Sequence, residues 1–196
     1  SKSISSIVSC NRGANVVVTG YPHAESLISK PALDSKQAWK SQENAKLRII
    51  WAPHQTIDNP EIPYSTFLKY YDYFKRISQE TFSYIQWSFK PHPLLKEKLY
   101  LHPEWGKEKT DSYYKYWLNG SNTQLDEGGY TDLFTQSDCI IHDCTSFMAE
   151  YVLLDKPALY LLNNKKSMAS ILTDFGVEAF SACSHAHNEL DIYNFI

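Results

Sequence analysis

Residues 137–162, SDCIIHDCTSFMAEYVLLDKPALYLL, predict a strand, a short loop, a helix and a second strand. The apolar run of residues 138–141 ends in the polar loop 142–146, as a buried strand does. From Phe147 onward apolar residues recur at helical spacing, and Pro157 ends the helix because proline cannot continue it. Residues 158–162 form the second apolar run. This order of elements is typical of a parallel sheet in an α/β fold.

The rest of the chain repeats the alternation of strands and helices. Further strands are predicted at residues 16–19, 47–51 and 84–89, with a weak strand at 178–182. Further helices are predicted at residues 23–29, 64–79, 94–99, 111–118, 130–136, 166–173 and 188–196. We therefore expect an α/β, Rossmann-like parallel sheet with helices on both faces.

Each of the four clear strands that precede a helix ends in a polar motif. Gly20 follows the first strand, His54 the second, His92 the third and Asp143 the fourth. In parallel sheets, ligands bind in the crevice outside the carboxyl ends of the strands. The sequence therefore predicts that these four motifs lie at one edge and form one site.

The helix that follows loop 142–146 indicates a phosphate site. Its start exposes unpaired N–H groups with a partial positive charge, and Thr145 and Ser146 add hydroxyl donors there. Glu150, one turn further along an exposed helix face, could accept hydrogen bonds from a ribose. The alternative is that Thr145 or Ser146 is only the N-cap of the helix, the usual role of these residue types.

The histidines admit both functional and structural interpretations. Because His92 lies between two prolines, its imidazole is held in place, and it could donate to a phosphate or act as a general acid or base. The alternative is a histidine that only fills a turn, which is also the interpretation favoured for His54. His142 is expected to be buried and hydrogen-bonded, and Asp143 to hold its loop by accepting backbone N–H bonds.

A metal site made from the histidines and Asp143 is the rival hypothesis, since these are suitable ligand types. However, no two of the histidines have the local spacing of a zinc motif, so we expect no metal and no cofactor. The sequence also lacks GxGxxG, GxxxxGK[ST] and GxSxG, which argues against dehydrogenases, P-loop NTPases and serine hydrolases.

Composition narrows the class of partner. The net charge of −3 over 196 residues gives no reason to expect nucleic acid. The four cysteines form no CxxC pair, which favours a reduced, cytoplasmic chain. No apolar run is long enough for a bilayer and there is no signal peptide. The first residue is Ser, and the sequence pattern of the final helix, 188–196, stops in mid-course, so we expect a fragment of a longer protein.

Several motifs together resemble the CDP-glycerol glycerophosphotransferase family, the teichoic-acid-polymerase-like transferases. They are VVVTGYP at 16–22, RIIWAP at 48–53, FKPHPLL at 89–95, SDCIIHDCTSFMAEY at 137–151 and DKPALYL at 155–161. The resemblance implies the carboxyl-terminal half of a GT-B fold, with a nucleotide-donor-binding domain over residues 15–196. It also implies a larger enzyme whose amino-terminal half carries the acceptor site and a second catalytic histidine. The polar segment before the domain, residues 1–14, is expected to be a linker or disordered arm.

The resemblance also implies roles for particular residues. His92 would be catalytic, Thr145 and Ser146 would contact the donor pyrophosphate, and Glu150 would hold the ribose. His54, Gly20 and Asp143 complete the expected nucleotide- and phosphate-binding set. The expected donor is a nucleoside diphosphate derivative, with a CDP-linked one favoured. The expected acceptor is a polymer or a lipid-linked molecule.

Departures from the family pattern place the chain on a divergent branch. The polymerases usually have Thr-Trp-Arg in place of residues 54–56, Tyr-Ser-Ser in place of residues 144–146, and Asp in place of Glu150. The donor could therefore be another CDP-linked alditol or a nucleotide sugar. A bacterial transferase for a cell-surface polymer, such as teichoic acid or capsule, is expected, cytoplasmic or peripheral at the inner face of the membrane. The alternatives are a sugar-nucleotide epimerase on the same fold and a non-catalytic docking module.

Overall fold

A computed structural model describes residues 14, 17, 20–28, 36–44, 46–81, 83–163 and 172–196. Its centre is a parallel sheet of six strands in the order β3-β2-β1-β4-β5-β6. The strands are β1 (Leu47–Ala52), β2 (Ile85–Phe89), β3 (Thr123–Leu125), β4 (Cys139–His142), β5 (Ala158–Leu161) and β6 (Ser184–Ala186).

Helices connect the strands and cover both faces of the sheet. They are α1 (Pro22–Ile28), α2 (Phe67–Glu80), α3 (Leu95–Leu101), α4 (Gly106–Asn119), α5 (Thr131–Thr135), α6 (Thr145–Tyr151), α7 (Asp174–Ser181) and α8 (Glu189–Phe195). A 3-10 turn, Val152–Leu154, extends α6. In the part of the chain that the structure describes, no helix is long and apolar enough to cross a bilayer.

Alternating side chains of the strands build two cores, one on each face. On one face Trp51 is surrounded by aromatic rings, with centroid distances of 4.3 Å to Phe74, 4.9 Å to Phe89 and 5.6 Å to Trp117. On the other face Ile50 and Ile140 pack with the side chains of α5 and α6. Burial on both faces explains the apolar runs 49–52 of β1 and 139–141 of β4, whereas β2 is buried throughout although it contains Gln86 and Ser88. The predicted α/β fold with helices on both faces is confirmed.

The strand order fixes where a ligand can bind. The chain leaves β1 toward β2 and β3 on one side, and later crosses back to place β4 against the other side of β1. In an open α/β sheet this reversal opens a crevice at the carboxyl ends of the two central strands. His54 follows β1 and Asp143 follows β4, so both lie at that point.

Some predicted elements need correction. The predicted strand 178–182 is wrong, because these residues belong to α7 and the following residue, and the strand is β6 further on. Strand β3 was not predicted, and α4 is longer than the predicted helix 111–118. The predicted strand 16–19 lies outside the described residues except for Val17, which is 80% exposed and in no strand. Of the predicted helix 166–173 only Leu172 and Thr173 are described, and neither is helical, while the predicted arm 1–14 is described only at Ala14.

Candidate functional site

The loops that follow β1 and β2 bring two histidines together. The ring of His92 meets the ring of His54 edge-on, with 5.0 Å between centroids. The backbone N–H of His92 donates to the carbonyl of Pro53 over 3.0 Å, which fixes one loop against the other. The expected convergence of these two strand ends is therefore present.

A cavity of about 290 Å³, here called the histidine cavity, opens between these loops and the start of α6. His92 and Ser146 both line this cavity. The remaining lining comes from Pro53, Lys90, Pro91, Pro93, Gly128, Gly129, Tyr130, Cys144 and Phe147. Two residues that the sequence analysis placed in one site thus face the same space.

His92 offers a hydrogen-bond donor to this cavity. Its Nδ1 accepts the backbone N–H of Leu94 over 3.2 Å, so the neutral ring carries its proton on Nε2. Burial, and then the positive charge of Lys98, lower the pKa of His92. At neutral pH the ring is therefore an uncharged N–H donor, which suits a phosphate oxygen.

His54 packs against His92. Its Nδ1 lies 3.0 Å from the hydroxyl oxygen of Thr56, and burial, followed by His92 and Lys98, lowers its pKa to about 4. His54 does not line the histidine cavity. Its contacts agree with the structural interpretation that the sequence favoured.

Asp143 holds the crevice together from within. Its carboxylate is fully buried; Oδ1 accepts the backbone N–H of His54 over 2.6 Å, and Oδ2 accepts the backbone N–H and the hydroxyl of Thr66 over 2.5 and 2.8 Å. Burial raises its pKa to about 6, against the effect of these bonds. Asp143 therefore has the loop-holding contacts expected of it and does not line the histidine cavity, so any part in phosphate binding is indirect.

His142 is buried and hydrogen-bonded, as expected from the sequence. It is fully buried, its Nδ1 lies 3.0 Å from the carbonyl of Cys144, and burial lowers its pKa to about 4. The bond to Cys144 ties the end of β4 to the loop that follows it, and His142 does not line the histidine cavity.

The start of α6 corrects the N-cap alternative. The N-cap is Cys144, and no side chain makes a cap hydrogen bond there, so neither Thr145 nor Ser146 has that role. Ser146 is exposed, with its hydroxyl 3.1 Å from the thiol of Cys144. Thr145 is half-buried and is not part of the lining of the histidine cavity.

A second cavity of about 270 Å³, here called the glutamate cavity, lies on the other side of Ser146. Its lining is formed by Tyr21, Ala24, Ser146, Ala149, Glu150, Leu153 and Phe175. Ser146 thus belongs to both cavities, which places them next to each other along α6.

Glu150 is buried rather than on an exposed helix face, which corrects the expectation from the sequence. Only 4% of the residue is exposed, because the segment before α1 covers it: the hydroxyl of Tyr21 donates to its Oε1. Its Oε2 is buried and has no hydrogen-bond partner among the described residues. A buried carboxylate oxygen without a partner is costly, and it is available to a ligand donor.

Gly20 shapes the entry to α1 and lines neither cavity. Its φ of +97° lies in the region that side chains disfavour, which explains the glycine at this sharp turn. The turn sets the position of Tyr21, so Gly20 acts on the site through its neighbour.

Lys90 and Tyr130 are site residues that the sequence analysis missed. The ammonium group of Lys90, with 4% of the side chain exposed, lies 3.1 Å from Asp126 and donates to the carbonyl of Gly128 over 2.6 Å. This anchors the loop before Tyr130 over the histidine cavity. A lysine directly after a buried strand, in Lys90-Pro91-His92, was the available signal.

No cluster of three or more histidine, cysteine, aspartate or glutamate side chains that could hold a metal ion occurs within the described ranges. Of the proposed ligands, only His54 and His92 have adjoining rings, and the carboxylate of Asp143 is already occupied by backbone and hydroxyl donors. The arrangement favours the binding of an anion by neutral donors.

No family model matches the chain, and no curated protein matches it. Among solved structures, the chain is similar to the UDP-GlcNAc 2-epimerase of Methanocaldococcus jannaschii, with a TM-score of 0.50 and 17% identity over 76% of this chain and 37% of that one. The epimerase of Neisseria meningitidis bound to UDP-GlcNAc has a TM-score of 0.48 and 15% identity over 79% and 35%. The wall teichoic acid polymerase TagF has a TM-score of 0.38 and 18% identity over 60% and 25%.

These comparisons concern the fold. The chain is a Rossmann-like domain of the kind found in GT-B proteins, with a six-stranded parallel sheet. It spans little more than a third of the length of the two epimerases. At these sequence identities the similarity extends to the architecture alone, and the function of the site depends on its own residues.

Proposed function

We propose that residues 15–196 form the donor-nucleotide-binding domain of a GT-B transferase. The whole enzyme would move a glycerol-phosphate-like or glycosyl unit from a nucleoside diphosphate to a cell-surface polymer acceptor. One observation carries the proposal: two cavities meet at Ser146, one with His92 on its wall and the other with the buried carboxylate of Glu150. A diphosphate joined to a ribose needs a donor-lined space beside an acceptor-lined space.

In this proposal the diphosphate occupies the histidine cavity. The Nε2–H of His92 and the hydroxyl of Ser146, which both line this cavity, donate to phosphate oxygens. Negative charge develops on the leaving phosphate during transfer, and donors fixed in place stabilise it. Thr145 contributes its hydroxyl at the same helix start once a ligand is bound. His92 is the catalytic residue of this chain, and the acceptor site lies in the amino-terminal half of the enzyme.

The ribose occupies the glutamate cavity. Its hydroxyl groups donate to Glu150, whose Oε2 has no partner within the described part of the chain. The cavity walls are otherwise largely apolar, from Ala149, Leu153 and Phe175, which suits the nucleoside end of the donor. The resemblance to the teichoic acid polymerases favours a CDP-linked donor.

The likeness to the epimerase of M. jannaschii favours a second candidate, a sugar-nucleotide epimerase on the same fold. The two candidates differ in their need for an acceptor. A full-length epimerase would convert UDP-sugars on its own, and a transferase would leave them unchanged until an acceptor is added. Chromatography of UDP-GlcNAc incubated with the full-length protein separates the two.

Calorimetric titration of the chain with CDP, UDP and GDP tests donor binding. We expect weak binding, with CDP the tightest, and a loss of roughly tenfold in affinity for His92→Ala, as for a charge-assisted hydrogen bond. His187→Ala is the matched control, since its ring is exposed and lies outside both cavities. Absence of binding for all three nucleotides, or equal effects of both substitutions, would count against the proposal. Transfer activity of the isolated chain would contradict the need for a second half.

A further inference from the structure

The hydroxyl of Tyr21 is hydrogen-bonded to the carboxylate of Glu150, the group to which the proposed function assigns the ribose. It donates to Oε1 of Glu150, although the two residues are 129 positions apart in the chain. Tyr21 is 53% exposed, whereas Glu150 is 4% exposed, so only the end of the tyrosine reaches into the buried region. The hydrogen bond to Glu150 first, then burial and the charge of Glu150, raise the pKa of Tyr21 to about 12. The phenol therefore remains a donor at every ordinary pH.

This contact satisfies only half of the carboxylate. A phenol carries one O–H and can serve one oxygen, which leaves the buried Oε2 without a partner among the described residues. Burial first, and then a hydrogen bond to Glu150 and its negative charge, raise the pKa of Tyr130, so this second phenol also stays protonated; Oε2 is without a partner among the described residues even so. A vicinal diol carries two O–H groups and can serve both carboxylate oxygens at once. The site is thus better matched by a diol than by Tyr21.

We propose that Tyr21 is a built-in competitor of the ligand: its hydroxyl holds Glu150 Oε1 in the unliganded chain and must leave before a ribose diol binds. This inference rests on the proposed function and adds a regulated step to it. The tyrosine keeps part of a buried carboxylate satisfied when no nucleotide is present, and it weakens nucleotide binding in return.

The position of Tyr21 keeps the free-energy cost of moving its ring away from Glu150 small. Its ring is largely in solvent already, and its ring contact in the described structure is an edge contact with His23, at 6.0 Å between centroids. It follows Gly20, which has a φ of +97° and, as a glycine, can adopt many other backbone conformations. Moving the ring outward therefore breaks one hydrogen bond and exposes little new apolar surface.

The test measures how the affinity for CDP, and for its 2′-deoxy form dCDP, changes when the hydroxyl group at position 21 is removed. Calorimetry is done on the full chain with Tyr21→Phe, Tyr21→Leu and the control Tyr84→Phe, an exposed tyrosine next to the amino end of β2. We expect both Tyr21 variants to bind CDP about fivefold or more tightly than the parent, because the competing donor is gone. The control should bind as the parent does.

The deoxy probe adds a second readout. With one hydroxyl fewer, dCDP can use Oε2 while Tyr21 stays on Oε1, so the gain from Tyr21→Phe should shrink clearly. Tyr21→Leu separates the hydroxyl from any stacking of the ring on the base, since Phe keeps the ring and Leu does not.

The two proposals fail in different ways. If the parent binds CDP but Tyr21→Phe and Tyr21→Leu bind it equally or more weakly, the competitor role is overturned and the donor site stands. If the gain is the same for CDP and dCDP, the diol explanation is overturned. If no variant binds either nucleotide, both the donor site and the competitor role are overturned.

Discussion

The ring of His54 lies edge-on to the ring of His92, with 5.0 Å between ring centroids. Burial is the main cause of the low pKa in both, and a proton on His92 lowers the pKa of His54 further. Two adjoining neutral imidazoles can donate and accept hydrogen bonds without placing net charge in the crevice. Their protonation therefore has consequences for both stability and binding.

Stability should fall as the pH is lowered from 7 to 4.5. His54 and His142 have a pKa of about 4 when folded, below the unfolded value, so the unfolded chain binds more protons in this range and acid favours it. Asp143 acts in the opposite direction between about pH 4 and 6, because its folded pKa is raised to about 6. The histidines outnumber it, and urea unfolding at pH 7.5 and 5 should show the loss. His142→Gln should reduce the pH dependence; an unchanged dependence would contradict the role given to burial.

Asp143→Asn should lower the free energy of unfolding by about 2 to 3 kcal/mol, since an amide offers one acceptor oxygen and directs N–H groups at another donor. The carboxylate now receives the N–H of His54 and two donors of Thr66. Urea unfolding measures the loss. Asp72→Asn, on the exposed side of α2, should stay within about 0.5 kcal/mol of the parent. Similar losses at the two positions would contradict the special role of Asp143.

Lys90→Met should loosen the loop over the histidine cavity. The substitution removes the ion pair with Asp126 and the bond to the carbonyl of Gly128, and we expect a loss of about 3 kcal/mol in stability. Limited proteolysis should cut between residues 126 and 130 sooner than in the parent. Lys115→Met, on the exposed side of α4, is the matched control. Protection of the loop in Lys90→Met would show that something other than this lysine holds it.

Glu150→Gln should weaken the binding of CDP by about tenfold, because the amide keeps one acceptor oxygen in place of two. The loss should be smaller for dCDP, which has one hydroxyl fewer to donate. Glu178→Gln, on the exposed side of α7, should leave both affinities unchanged. Equal losses for CDP and dCDP would place the ribose elsewhere.

The sequence was sufficient for the strand ends that surround the crevice. β1 and β4 contain apolar runs, residues 49–52 and 139–141, and β2 has large apolar residues at alternate positions; each of these strands is followed by a polar motif. β3 and β6 have only three residues each and carry polar side chains such as Gln124 and His185, so no apolar run marks them. Their pairing is decided by neighbouring strands, which a local pattern does not contain.

The contacts that define the glutamate cavity could not be predicted in the same way. Helical spacing placed Glu150 near the loop correctly, but its burial depends on Tyr21, which comes from a segment far away in the chain. The cap of α6 is not predictable from the sequence for a related reason: Cys144 is at the N-cap position without a side-chain cap hydrogen bond, and cysteine is not a typical N-cap residue.

The carboxylate of Asp143 also couples the crevice to the folding of the whole sheet. It joins the loop after β4 to the loop after β1 and to the start of α2, so the amide protons of His54 and Thr66 are enclosed between three distant parts of the chain. These two amides should exchange with heavy water only when the molecule unfolds globally, even though they belong to loops. A crevice that opens only on global unfolding would keep its geometry through every smaller fluctuation of the protein.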